Sequence, residues 1–475
     1  MRPLVLAVPL LVSGLVGTAL VACGDDATPS GERRGSYEGD ATFDDGGATD
    51  ARTPDSSTSG TDGAAATDAS AFDGSSDTGP PVLGPIACGM RQFLATSGAG
   101  PRLESGLRAA TLPGGRMLVM WNGQPTASQT RPSYRIYDGA TWRPTLTFAS
   151  DGEIRHLSVD GLGNAYVVYQ PAGQSKLSRA VLAAGSAAFG AEDLIDVDVA
   201  QEPKARLSGL ASGSLLLYRA ADAYLASRYD VATATWGAPI TLESFQGAAV
   251  GRLGVGTTNK AAAVWLDAAG LHLRTFDGAT WAAAVLDPVA PVAPVAHQPS
   301  ATVLSNGDVY TMWIEPGPVT KVRGHLFHVA TQTWDALNAL YDGTPTYDLR
   351  NELRVDANDH LTATFVAEPP GKVAGIFVAR NIGAGWSTTS FGGYAPNPVL
   401  DRFGNVYLGS ASVVTGKGLL VRVAAASTTL LASTPTTLSP NFGDGLERLA
   451  LALDGANHAN VFALEPNGLV TAVCK

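Results

Sequence analysis

Apolar runs recur along most of this chain at an almost constant interval. MLVMW ends at Trp121, AYVVY at Tyr169, SLLLY at Tyr218, AAAVW at Trp265, VYTMW at Trp313 and LTATF at Phe365, in steps of 48, 49, 47, 48 and 52 residues. Two weaker copies follow, NVYLGS near Ser410 and ANVFALE near Glu465. The runs are short and rich in Val, Leu and aromatic residues. Most follow a turn: PGG at 113–115, DGLGN at 160–164, SNGD at 305–308, DANDH at 356–360, DRFGN at 401–405 and DGANH at 454–458. This is the pattern of hairpin strands. No helix-period stretch of useful length competes with it.

A second register runs beside the first. Trp142, Trp236, Trp281, Trp334 and Trp386 each close a turn-like stretch (YDGATW, YDVATATW, FDGATW, HVATQTW and RNIGAGW), and Phe189 occupies the slot between the first two. Each lies 16 to 21 residues after its partner aromatic. A unit of this length with about four short strands is a propeller blade. The expectation is therefore an all-β chain, a β-propeller over residues 85–475 with eight four-stranded blades. The eighth unit, 446–475, offers only three strands, LALALD, NVFALE and LVTAVC, while RQFLATS at 91–97 is left over. Pairing the N- and C-terminal strands would complete that blade. Seven blades, with one copy degraded into loop, is the alternative.

Cysteine placement agrees with closure. Cys88 and Cys474 stand at the two extremes of the repeat region, an even pair suited to a disulfide in an exported protein. The third cysteine, Cys23, ends a different kind of segment. Residues 1–22 carry Arg2 and then a long apolar run, the layout of an export signal. Leu20-Val21-Ala22-Cys23 resembles the lipobox of bacterial lipoproteins. That resemblance implies a diacylglycerol on the Cys23 thiol, cleavage just before it, and a place in the cell envelope, with the outer membrane favoured because Gly24 is no Asp-type retention signal. An uncleaved membrane anchor is the competing reading.

Residues 23–84 hold no apolar run and read as a disordered tether. Thirteen acids there face three arginines, so most of the chain's net charge of −11 belongs to the tether, and about −2 is left for 85–475. No basic surplus points to nucleic acid. A flexible chain of this length spans roughly 45 Å, enough to hold a monomeric domain just off a membrane.

The stretches DGLGNAYVVY (160–169) and DRFGNVYL (401–408) resemble NHL-type propeller repeats. The Trp turns resemble degenerate Asp-boxes, the BNR repeat of sialidase-like propellers, Ser-x-Asp-x-Gly-x-Thr-Trp. Gly139, Thr141 and Trp142 match it, as do Gly278, Thr280 and Trp281, while Asp138 and Asp277 sit one place late and the leading Ser is missing. The resemblance implies the architecture, and architecture does not fix function. YRIY at 134–137 echoes a sialidase motif but lacks its Pro and reads as strand.

No catalytic set emerges, no cofactor is implied, and no Gly-x-Ser-x-Gly, Gly-x-Gly-x-x-Gly or His-Glu-x-x-His is present. His325 and His328 are three apart in a strand and face opposite sides, which makes them poor joint metal ligands. The acidic turns lack the calcium ladder. If the DGLGN-type and DGATW-type turns lie on one face, longer loops such as 122–133, 314–321 and 366–372 emerge on the other, where recognition is expected. Arg131, Arg219, Glu315 and Glu368 are the candidate polar residues there. These features favour a membrane-anchored propeller that binds a glycan or an envelope protein without catalysis. The alternative is a sialidase-like glycan hydrolase or lyase using the same loop face.

Overall fold

The computed structural model describes residues 86–96, 106–126, 129–195, 205–220, 223–244, 250–267, 269–290, 299–315, 320–343, 351–367, 375–383, 385–392, 394–401, 403–411, 418–425, 427, 430–435, 449–465 and 468–475. Cys23, the signal and tether segments 1–22 and 23–84, and Glu368 lie outside the described residues.

Eight antiparallel sheets form a β-propeller with eight blades. Blade 1 is representative: Arg108–Thr111, Met117–Thr126, Gln129–Tyr137 and Leu146–Thr147 pair in sequence order, from the axis outward. The inner strands of blades 2 to 8 are Gly152–Val159, Arg206–Gly209, Val250–Val255, Ser300–Val303, Asn351–Val355, Tyr394–Leu400 and Leu449–Leu453. In blades 3 and 5 the outer strand comes in two pieces, both paired to the third strand. The one helical turn among the described residues is Pro113–Gly115.

The inner strands neighbour one another in cyclic order and so close a ring. Glycines let them approach. A Cβ on Gly209 would stand 1.9 Å from the Val159 carbonyl oxygen, and one on Gly254 2.4 Å from Ala301. Polar links cross the same seams: Gly161 N donates to Leu210 O (2.8 Å), and Thr302 Oγ1 donates to Val255 O (2.8 Å).

Blade 8 contains the N-terminal strand. Gln92–Thr96 pairs with Gly468–Cys474 as the outermost strand of that sheet. Cys88 and Cys474 are disulfide-bonded, and beside the bond the Ala87 and Lys475 backbones exchange hydrogen bonds at 3.0 Å. Eight blades with this closure is the arrangement the repeat count and the cysteine placement anticipate; the seven-blade alternative is excluded.

The two turn registers lie where the repeat predicts. The DGLGN-type turns join first to second strands, and the Trp turns join third to fourth strands. Each repeat Trp packs against the preceding blade. Trp142 meets Phe462 edge-on at 5.7 Å, Trp236 meets Tyr166 at 6.1 Å, and Trp386 meets Tyr310 at 5.2 Å. Trp281 and Trp334 join the clusters between blades 3 and 4 and between blades 4 and 5. Such aromatic pairs add about 0.5–1.5 kcal/mol beyond area burial.

The acids of the turns serve structure. Asp160 accepts from Asn164 N (2.8 Å), Asn164 Nδ2 (2.8 Å), Tyr166 Oη (2.7 Å) and, from blade 3, Gly213 N (3.0 Å). Asp401 repeats the arrangement with Asn405 and Tyr407. In blades 6 and 8 His360 and His458 replace the Asn, their Nδ1 atoms at 3.0 and 3.1 Å from Asp356 and Asp454. Asp359 and Asn457 take positive φ in these turns (62° and 61°), a conformation short polar side chains tolerate.

His325 and His328 do point to opposite sides. His325 is buried, stacked on Trp334 at 4.7 Å, with Nδ1 at 2.8 Å from Asp287 and Nε2 at 2.6 Å from the Asp335 carbonyl. Burial opposes its charge, but the Asp287 carboxylate and the Asp335 carbonyl outweigh it and raise the pKa above the ordinary 6.5. A raised folded-state value makes this pair's stabilisation complete below pH 6.5 and lost as pH climbs through the raised value. Melting temperature measured against pH should therefore fall more steeply above pH 6.5 in the wild type than in His325→Gln. Equal slopes would mean that His325 folds neutral.

Candidate functional site

The ring of inner strands surrounds a cavity of about 240 Å³ on the propeller axis. Its lining alternates along each strand because successive residues point to opposite sides. Three residues before the last residue of each inner strand stand Arg108, His156, Arg206, Arg252, Ser300 and Glu352 in blades 1 to 6. These residues form one layer, roughly 10 Å from the turn-face end of the strands. The next layer toward the turns holds Ser158, Ser208 and Arg354, with Thr302 buried at the equivalent place in blade 5. Leucines at the positions between, Leu207 and Leu353 among them, are buried against neighbouring blades.

Charged residues face the cavity from blades 3, 4 and 6. The His156 pKa lies well below 6.5, first because burial disfavours the imidazolium and then because Arg206, Arg108, Arg354 and Arg252 repel it. His156 is therefore neutral at pH 7. Glu352 is the one carboxylate among the described lining residues, and its oxygen is 3.2 Å from Arg354. The two carboxyls that glycoside hydrolysis uses are not assembled there among the described residues. His156 Nδ1 and Ser158 Oγ are buried with no hydrogen-bond partner among the described residues.

A larger cavity, about 580 Å³, opens on the turn face between blades 4 and 5. Its polar groups are committed to the scaffold. Lys260 Nζ donates to Asn306 O (3.0 Å), His328 bridges Asp308 (2.8 Å) and Asp335 (3.0 Å), and Asp277 caps its own turn at Ala279 and Thr280. The axial cavity, with its concentrated charge and orphaned buried atoms, is the stronger candidate despite its smaller size.

The loop-face residues singled out from the sequence lie in separate blades. Arg131, in blade 1, is bound by Asp151 (2.8 and 2.9 Å). Arg219, in blade 3, lies beside the Tyr224 phenol. Glu315, in blade 5, accepts from Trp313 Nε1 at 3.3 Å. The axial arginines were missed, although a register marks them. Positions 108, 156, 206, 252, 300 and 352 follow one another at steps of 48, 50, 46, 48 and 52, each at the same distance before a turn. Residue type changes along that register, so hydropathy does not reveal it.

No protein-family model matches this chain, and no curated protein matches it. Solved structures do. BP39L lectin from Burkholderia pseudomallei is 14% identical at a TM-score of 0.49, covering 70% of this chain and 99% of that one. Hydrazine synthase from Kuenenia stuttgartiensis is 12% identical at 0.44, covering 66% and 94%. A fucose-specific lectin from Aleuria aurantia is 14% identical at 0.38, covering 60% and 95%. At such identities and TM-scores these likenesses assign no ligand to this chain.

Proposed function

We propose that this protein is a binding propeller, held at a bacterial membrane by lipid on Cys23, which takes its ligand at the axial cavity rather than transforming it. The observation that carries the reading is the convergence of Arg206, Arg252 and Arg354 with His156, Ser158, Ser300 and Asn351 around one cavity on a rigid ring. Polar groups fixed on paired strands, rather than on loops, suit recognition, because their positions are set before the ligand arrives. The partner class we favour is a glycan or another envelope component.

A screen of glycans and envelope fractions against the full chain in detergent tests this. Retention of a ligand by the wild type, weakened when Arg206 and Arg252 are both replaced by Gln, is the expected result. Retention unaffected by those changes would move the site elsewhere on the propeller. Turnover of a bound glycan would replace binding with the hydrolase or lyase reading.

The anchor is tested separately. A fatty-acid label should enter the wild type, and Cys23→Ala should abolish its uptake, because the thiol that would carry the lipid is gone. A membrane-bound wild type that takes up no label would identify an uncleaved helix instead.

A further inference from the structure

We propose that the axial cavity binds an oxyanion, a carboxylate or phosphate group, held among Arg206, Arg252 and Arg354. The proposal rests on the reading that this cavity is the ligand site, and it names the ligand's chemistry. Guanidinium groups bring fork-shaped donors that match the two oxygens of such a group. Three of them, Arg206, Arg252 and Arg354, line the cavity beside His156, from the inner strands of blades 3, 4 and 6.

A second observation points the same way. His156 Nδ1 and Ser158 Oγ, two residues apart on the inner strand of blade 2, are buried without hydrogen-bond partners among the described residues. Folded proteins seldom leave buried polar atoms so, unless a bound group satisfies them. The volume, about 240 Å³, equals that of roughly eight waters at about 30 Å³ each. It is room for a small anionic head group and not for a long chain.

Binding should also move a proton. The charged groups acting on His156 are Arg206, Arg108, Arg354 and Arg252 on neighbouring blades, and Glu352 lines the same cavity. An anion in their midst lowers the local positive potential and favours the imidazolium, so affinity rises as pH falls.

The test is calorimetric titration of the full-length protein in detergent with inorganic phosphate, D-glucuronate and neutral D-glucose. Either anion, or both, should bind and glucose should not; which anion binds separates a phosphate source from an acidic sugar. Arg206→Gln and Arg252→Gln should each weaken the anion about tenfold or more, a ratio equivalent to about 1.4 kcal/mol. Arg131→Gln, on the outer loop face, should leave it unchanged. Binding should take up protons near pH 6, and His156→Gln should abolish the uptake while an anion-induced rise in melting temperature persists, which shows the variant folded. No heat from either anion, or anion binding indifferent to Arg206→Gln and Arg252→Gln in folded variants, overturns the proposal. If the glycan and envelope screen still finds a ligand in that case, the binding reading survives; if it finds none, both fall.

Discussion

Cys474→Ser will lower the stability of the propeller by about 3–5 kcal/mol, a fall in melting temperature of roughly 4–6 °C for a folded region of this size. The Cys88–Cys474 bond closes a separation of 386 residues in sequence. It therefore removes a large amount of freedom from the unfolded chain, more than any short loop does. In the folded state it fixes the outermost strand of blade 8, which otherwise holds by its pairing to Gly468–Cys474 and by the Arg91–Glu465 ion pair at 2.8 Å. Amide exchange in Gln92–Thr96 should accelerate more than exchange in the inner strands. Cys88→Ser and the double variant should match Cys474→Ser. A loss below about 1 kcal/mol would show that the terminal hydrogen bonds close the ring unaided.

Asp160→Ala should cost about 4 kcal/mol, since it strips a buried acceptor from several donors at once. Asn164 N and Nδ2, Tyr166 Oη and Gly213 N would all lose their partner, and the last belongs to blade 3. Chemical denaturation checks the size, and exchange at Gly213 shows whether the damage crosses the seam. Asp138→Ala, in the first Trp turn, is the contrast. Asp138 also accepts from two backbone amides, Ala140 and Thr141, but it is exposed. Water replaces its bonds there, so the change should be much smaller. Equal losses at both sites would refute the distinction between a blade-locking turn and a surface cap.

The scaffold was legible in the sequence because each blade is a local unit. Apolar runs and turns recur in unit after unit, an aromatic closes the outer turn in six of them, and a missing fourth strand at the C-terminus pointed to Gln92–Thr96. Even the packing role of Trp142 and its echoes followed, since an aromatic at a corresponding place in successive blades must meet a corresponding neighbour. The axial site was not legible, for two physical reasons. Its members lie in inner strands of as few as four residues, Arg108–Thr111 and Arg206–Gly209, too short to show a pattern of their own. They also become neighbours only when the ring closes, which lets Arg108 and Arg354 act on one imidazole from about half the chain apart. Sequence reasoning instead chose loop residues by exposure and composition. Arg131, Arg219 and Glu315 are fixed to separate blades, and nothing in loop length or proline content reports that separation.

The disulfide carries a mechanical consequence. Tension on the chain ahead of residue 86 reaches Cys88 before it reaches any hydrogen bond of Gln92–Thr96. The covalent link passes that load to Cys474, at the end of a strand paired on both sides. An outer strand pulled from its end would unzip one bond at a time. Here the force is diverted into the interior of the sheet, so a pull on the chain at Cys88 would not peel the blade open.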